Sequence, residues 1–185
     1  VVRQQIAGIP GPMGPASSFR GFGTVDYSDL DAVTLSPSND VLSGIPLPMV
    51  AGQWTRVTRD LQPSDSNRNP LADPFAGFSF WDGALLRAHA VGDIYLYKLT
   101  YRVMPTLRGS SLRFAFRPGG NPNFDFGPQP IVLSTDAGSE EIGSETFVTQ
   151  VRSRFATMGA EVYVWSSSGG QLLEFSPEIT PLGHA

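Results

Sequence analysis

Five carboxylates could do hydrolytic chemistry if a fold set two of them facing one another: Asp82, Asp93, Asp125, Glu161 and Glu174. A pair held about 5 to 9 Å apart would suffice for glycoside hydrolysis, one as acid and one as nucleophile or base. Their neighbours suggest a plainer use. Asp82 precedes Gly83 and Asp93 follows Gly92, and Asp beside Gly is a turn former whose carboxylate bonds nearby backbone amides. Nucleophilic catalysis has less to draw on. The histidines are His89, between two alanines, and His184, and no Gly-x-Ser-x-Gly elbow is present, so no serine is marked as a nucleophile with a base. His89 reads as a polar strand-edge residue and His184 as solvated tail. The absence of cysteine removes thiolate nucleophiles, thiolate metal sites and disulfides together. Asp26-Tyr27-Ser28-Asp29-Leu30-Asp31 places three carboxylates within six residues. It lacks the glycine and distal Glu of a calcium loop and reads as a solvated acidic loop. Neither an enzyme activity, a metal nor a cofactor is expected.

Sugar recognition has a stronger physical basis. Pro118-Gly119-Gly120-Asn121-Pro122-Asn123-Phe124-Asp125-Phe126-Gly127-Pro128 puts two Phe, two Asn and one Asp in a loop stiffened by Pro and Gly. Aromatic rings suit surfaces that are apolar on one side and wet on the other, and pyranose rings present an apolar face to them. Asn121, Asn123 and Asp125 would bond ring hydroxyls, with Phe124 and Phe126 as stacking platforms. The competing reading tucks both phenylalanines into the end of the domain or a subunit contact.

These residues need a β scaffold to position them. The chain has 185 residues, 41% hydrophobic, with 20 Gly, 16 Pro and a single lysine, Lys98. That composition favours short strands and many turns over packed helices, in one domain. Asp93 to Val103 alternates, with Tyr95, Tyr97, Leu99, Tyr101 and Val103 on one face and Lys98, Thr100 and Arg102 on the other. Alternation of this kind marks a strand with one buried face. Leu112 to Arg117 alternates again, and Pro105 to Ser110 between the two is of hairpin length. Further strands are expected at Val33–Leu35, Gln53–Arg59, Ile131–Ser134, Phe147–Arg154, Glu161–Trp165 and Gln171–Ser176, with Ser166 to Gly170 as a hairpin turn. Phe155 to Gly159 reads as a tight corner. Turn signals every ten to sixteen residues or so fit an antiparallel two-sheet sandwich. Trp54, Trp81 and Trp165 read as core or interface packing. Tyr163 and Trp165 share a strand face opposite Val162 and Val164, and the aromatic pair is expected to face a neighbouring subunit.

Ahead of the β-patterned region stand three in-phase triplets, Gly8-Ile9-Pro10, Gly11-Pro12-Met13 and Gly14-Pro15-Ala16. In a collagen triple helix only glycine fits the crowded axis, and proline pre-sets the extended backbone. Gly8, Gly11 and Gly14 therefore predict a trimeric neck over residues 1–18, below a head at 19–185. Three triplets would not hold three chains alone, so the head must supply trimer contacts. The net charge is −4, seventeen carboxylates against thirteen cations without a basic cluster, which disfavours nucleic acid as a partner. No segment approaches the roughly 18 apolar residues of a membrane span. The N-terminal residues lack the shape of a secretory signal, and the missing initiator Met suggests a piece of a longer protein.

The order of features resembles the C-terminal knob domains of bacteriophage fibre proteins, trimeric jelly-roll heads related in shape to the C1q and tumour-necrosis-factor sandwich. The resemblance is carried by the Gly-X-Y neck, Phe80-Trp81-Asp82, Gly92-Asp93-Ile94-Tyr95 opening a long aromatic strand, Phe155-Ala156-Thr157-Met158-Gly159, and the close at Ile179-Thr180-Pro181-Leu182. It implies an all-β, homotrimeric, non-enzymatic adhesion or display protein on the virion surface, at head or tail. Its N-terminal stalk would join other virion proteins, and its head would contact a host cell-surface glycan or protein. It transfers no binding residue. Alternatives are a capsid decoration fibre without a ligand and a bacterial or spore-surface collagen-like protein with a C1q-like head.

Overall fold

The structure, a computed structural model, describes residues 22–27, 46–57, 71–82 and 84–184. The Gly8, Gly11 and Gly14 triplets and the expected strand at Val33–Leu35 lie outside these residues. Within them the chain forms β1 (Val25–Asp26), β2 (Leu47–Met49), β3 (Trp54–Val57), β4 (Ile94–Pro105), β5 (Ser111–Pro118) and β6 (Ile131–Val132). There follow β7 (Glu141–Gln150), a short helix α1 (Ser153–Met158), β8 (Ala160–Ser166) and β9 (Gly170–Gly183). One sheet runs β1-β9-β4-β7, with β2 also on β9, and the other runs β3-β8-β5-β6.

The pairing is nested. β1 pairs with β9, β3 with β8, β4 with β7 and β5 with β6, all antiparallel, and successive nested pairs fall in alternate sheets. That arrangement is a jelly roll. The fold is all-β, as the composition predicts.

Alternation decides which face of each strand goes inward. On β4, Tyr95, Tyr97, Leu99, Tyr101 and Val103 are buried, and they meet the second sheet across the core. The Tyr97 ring stacks on Phe116 at 5.6 Å, and Tyr101 lies 5.4 Å from Phe114. Val162 and Val164 of β8 are fully buried, which turns Tyr163 and Trp165 outward. Trp81 belongs to the core, at 2% exposure.

Several local expectations need correction. The segment after β4 is no hairpin: β4 pairs with β7 and β9, whereas β5 pairs with β6 and β8. The connection crosses from one sheet to the other. Both strands bury one face, so alternation alone does not distinguish neighbours in a sheet from partners across a core. Ser166 to Gly170 likewise passes between sheets. Gly170 has φ 133, and a Cβ there would lie 2.4 Å from the Met104 carbonyl oxygen, so this corner requires glycine. The expected strand at Phe147–Arg154 is displaced, since β7 begins at Glu141 and stops at Gln150. The expected corner at Phe155–Gly159 is instead the end of α1, which buries Phe155 and closes with the Gly159 N–H on the Phe155 carbonyl at 2.9 Å.

Candidate functional site

The end of β5, the loop after it, the end of β7 and α1 enclose a groove of about 430 Å³. Its wall includes Asn123, Phe124, Asp125, Gln150, Arg152 and Arg154. Local chemistry shapes the loop. Gly119 and Gly120 both take positive φ, turning the chain sharply after Pro118. The Asn121 carboxamide then accepts the Asn123 N–H at 3.0 Å, capping a single 3-10 turn at Pro122–Phe124. Beyond that turn Phe126 returns to the scaffold, its backbone bonded both ways to Phe116 at 2.7 and 3.0 Å.

These constraints sort the five loop residues singled out in the sequence. Phe124 is 52% exposed, with the Arg154 guanidinium 4.5 Å over its ring. Asn123 is exposed beside it. Phe126 turns toward the scaffold, stacking on Phe116 at 5.4 Å and meeting Phe155 at 5.3 Å. Asn121 spends its side-chain oxygen on the turn. Asp125 accepts two hydrogen bonds from Arg117, at 3.0 and 3.2 Å. Of the two phenylalanines, one tucks in and the other stays exposed with Arg154 over one of its faces. The arginines of the groove were missed in the sequence, because Arg152 and Arg154 reach it only through the turn from β7 into α1.

Arg117 connects the loop to the outward aromatic face. It is 8% exposed and lies 4.5 Å from the Trp54 ring centroid and 4.3 Å from that of Tyr163. The register explains this layer. Trp54 pairs with Trp165 and Arg56 with Tyr163 across β3 and β8, while Arg113 pairs with Trp165 and Arg117 with Glu161 across β5 and β8. Arg56 reaches Glu161 at 3.1 Å, and the Tyr163 hydroxyl donates to the same carboxylate at 2.6 Å. Tyr163 and Trp165 therefore face outward but sit half-buried among arginines and an ion pair.

The five carboxylates each have their own partners. Asp82 accepts the Ala84 and Leu85 amides and pairs with Arg87. Burial pushes its pKa up, but those three donors together outweigh it and hold the carboxyl below its ordinary value. Asp125 takes Arg117, Glu161 takes Arg56, and Glu174 takes Arg102. Asp93, fully buried, receives both His89 and His184. The histidines read as edge and tail in the sequence thus converge, through a register that spacing does not reveal.

No protein-family model matches the sequence, and no curated protein matches it. Among solved structures, the chain is similar to the Eiger tumour necrosis factor from S. frugiperda, at 11% identity and TM-score 0.45, with 90% of this chain and 96% of that one covered. It is also similar to the PRD1 vertex protein P5, at 14% identity and TM-score 0.43, with 88% of this chain and 96% of that one covered. The jelly-roll assignment rests on the strand pairing itself. No helix among the described residues is long and apolar enough to cross a membrane.

Proposed function

We propose that this chain is the homotrimeric head of a bacteriophage fibre, displayed on the virion, non-enzymatic, and contacting host-surface glycans or proteins. The observation that carries the reading is the conjunction of three in-phase Gly-X-Y triplets with a jelly-roll head immediately after them in the chain. A collagen-like segment needs three chains, and the head must help hold them. The outward face of the first sheet suits that task. Ile94 of β4, Val148 of β7 and Leu182 of β9 are large, apolar and exposed toward one end of that face, an apolar patch that suits association, and the Lys98–Glu178 and Arg102–Glu174 ion pairs occupy the rest of it. The face bearing Tyr163 and Trp165 is the other candidate subunit contact, with Arg117 over the Tyr163 ring and Trp54 6.5 Å from Trp165.

The groove beside Phe124 is the proposed glycan contact, with Asn123, Gln150, Arg152 and Arg154 as hydrogen-bond donors around the exposed ring. Three copies would bind multivalently, so weak single contacts sum to firm attachment where the geometry permits. The separate partners of the five carboxylates favour adhesion over hydrolysis. A glycan array tests the reading, with the intact chain compared with Phe124→Ala. Binding that the variant loses supports the adhesion role. Absence of binding to any glycan, and to host cells, would favour a decoration fibre without a ligand.

A further inference from the structure

His89, Asp93 and His184 meet at the end of the sandwich where β4 begins and β9 stops. Ile94 pairs with Gly183, so Asp93, one residue before, and His184, one residue after, become cross-strand neighbours. A turn brings in His89: the Asp93 N–H bonds the Ala90 carbonyl at 3.4 Å and the Ala90 N–H bonds Asp93 Oδ2 at 2.9 Å. His184 Nδ1 lies 2.8 Å from Asp93 Oδ1, and His89 Nδ1 lies 3.7 Å from Asp93 Oδ2. One donor atom from each of the three residues falls within 4.8 Å of the other two.

The surroundings orient this cluster. Asp93 is fully buried, whereas the two imidazole side chains are 30% and 36% exposed, so an ion can reach them from solvent. The Tyr95 hydroxyl donates to Asp93 Oδ2 at 2.8 Å and accepts the His89 N–H at 2.9 Å. Phe75 packs edge-on against both imidazoles, at 5.2 and 5.9 Å. A carboxylate held by outer hydrogen bonds, facing two positioned imidazoles, is how metal ligands are supported in proteins.

We propose that His89, Asp93 and His184 bind a divalent transition-metal ion of the zinc type. Two imidazoles and one carboxylate suit such an ion, with a water completing four-coordination. Metal–ligand distances near 2.1 Å place tetrahedral donors about 3.4 Å apart, so the exposed imidazoles need to shift by at most about 1.4 Å, with the His184–Asp93 pair opening by about 0.6 Å. Calcium and magnesium prefer all-oxygen sets and do not fit. The bound ion would clip the end of β9 to the loop that precedes β4, joining residues 91 positions apart in sequence.

The test uses the full chain without an affinity tag, stripped with a chelator. Zinc added alone should bind at one ion per chain by calorimetry and raise the melting temperature, while magnesium should do neither. Cobalt added in its place should give the visible absorption of a four-coordinate nitrogen and oxygen site, a readout that needs no variant. His89→Ala removes a surface ring and should weaken zinc binding by roughly a hundredfold or more, since loss of an outer-shell partner alone costs 10- to 100-fold. Zinc bound equally by the intact chain and by a His89→Ala/His184→Ala variant, or no uptake and no cobalt absorption, would overturn the proposal. The cluster would then be a hydrogen-bonded clasp without a metal.

Discussion

Tyr97→Phe should stabilise this protein, and Tyr95→Phe, two residues along the same strand face, should destabilise it. The Tyr97 hydroxyl is buried without a hydrogen-bond partner among the described residues, its ring stacked against Phe116 and Phe147 at 5.6 and 5.1 Å. An unpaired buried polar group costs about 1–3 kcal/mol of desolvation. Removing the oxygen relieves that cost and leaves a very small void, so the net gain should be about 1 kcal/mol. The Tyr95 hydroxyl donates to the Asp93 carboxylate and accepts the His89 amide. Its removal leaves both groups short of a partner and should cost about 2–3 kcal/mol, because bonds to charged groups are the stronger ones. For a chain of this size 1 kcal/mol moves the melting temperature by roughly 2–4 °C. The two variants should therefore shift in opposite directions, read by urea unfolding and thermal melting at one fixed chain concentration, which an oligomer requires. A Tyr97→Phe variant less stable than the parent by about 1 kcal/mol or more would refute the reasoning, since its hydroxyl must then have a partner.

Other consequences can be checked alongside. Val148→Arg places a charge at an exposed apolar position of β7 and should convert the proposed trimer to folded monomers, seen as a drop in solution mass with an unchanged circular dichroism spectrum. Burial pushes the phenols of Tyr27, Tyr95 and Tyr97 above the ordinary value of 10.0 and that of Tyr101 to about 12. The folded state therefore holds these protons longer than the unfolded state, so stability is complete below about pH 10 and falls as pH rises from there through the raised values. Phenolate absorbance should rise together with loss of the β-sheet signal, and phenols titrating near pH 10 in an intact fold would contradict the burial. Arg117→Ala removes the partner of the solvent-reachable Asp125 and uncovers Trp54 and Tyr163, and should cost about 1–2 kcal/mol by urea unfolding. Arg117→Lys should recover little of it, lacking the planar fork.

The parts of the fold that alternation controls were readable from the sequence. The face of β4 bearing Tyr95, Tyr97 and Leu99 and the inward Val162 and Val164 follow from period two alone. Strand neighbours did not, because the loops at 105–110 and 166–170 have hairpin length and turn residues, yet carry the chain between sheets. What decides between the outcomes is the stacking of Tyr97 on Phe116 and of Tyr101 beside Phe114, a long-range preference with no local signature. In the candidate groove, Phe124 and Phe126 look equivalent in sequence. The backbone bonds of Phe126 to Phe116 separate them, one to packing and one to the surface. Arg117 was hidden in the same way, as an apparently outward residue of an alternating strand whose guanidinium bonds Asp125 of the loop and covers Trp54 and Tyr163. His89 and His184 looked isolated, 95 positions apart in the numbering, until the Ile94–Gly183 rung set Asp93 between them.

The solution mass by light scattering, of the intact chain and of the chain lacking residues 1–18, decides whether the jelly-roll head assembles as a trimer. A trimer is expected in both, which would locate the assembly energy in the jelly-roll head. A monomer for the intact chain would contradict it, removing the collagen-like neck and leaving a β-sandwich that works alone.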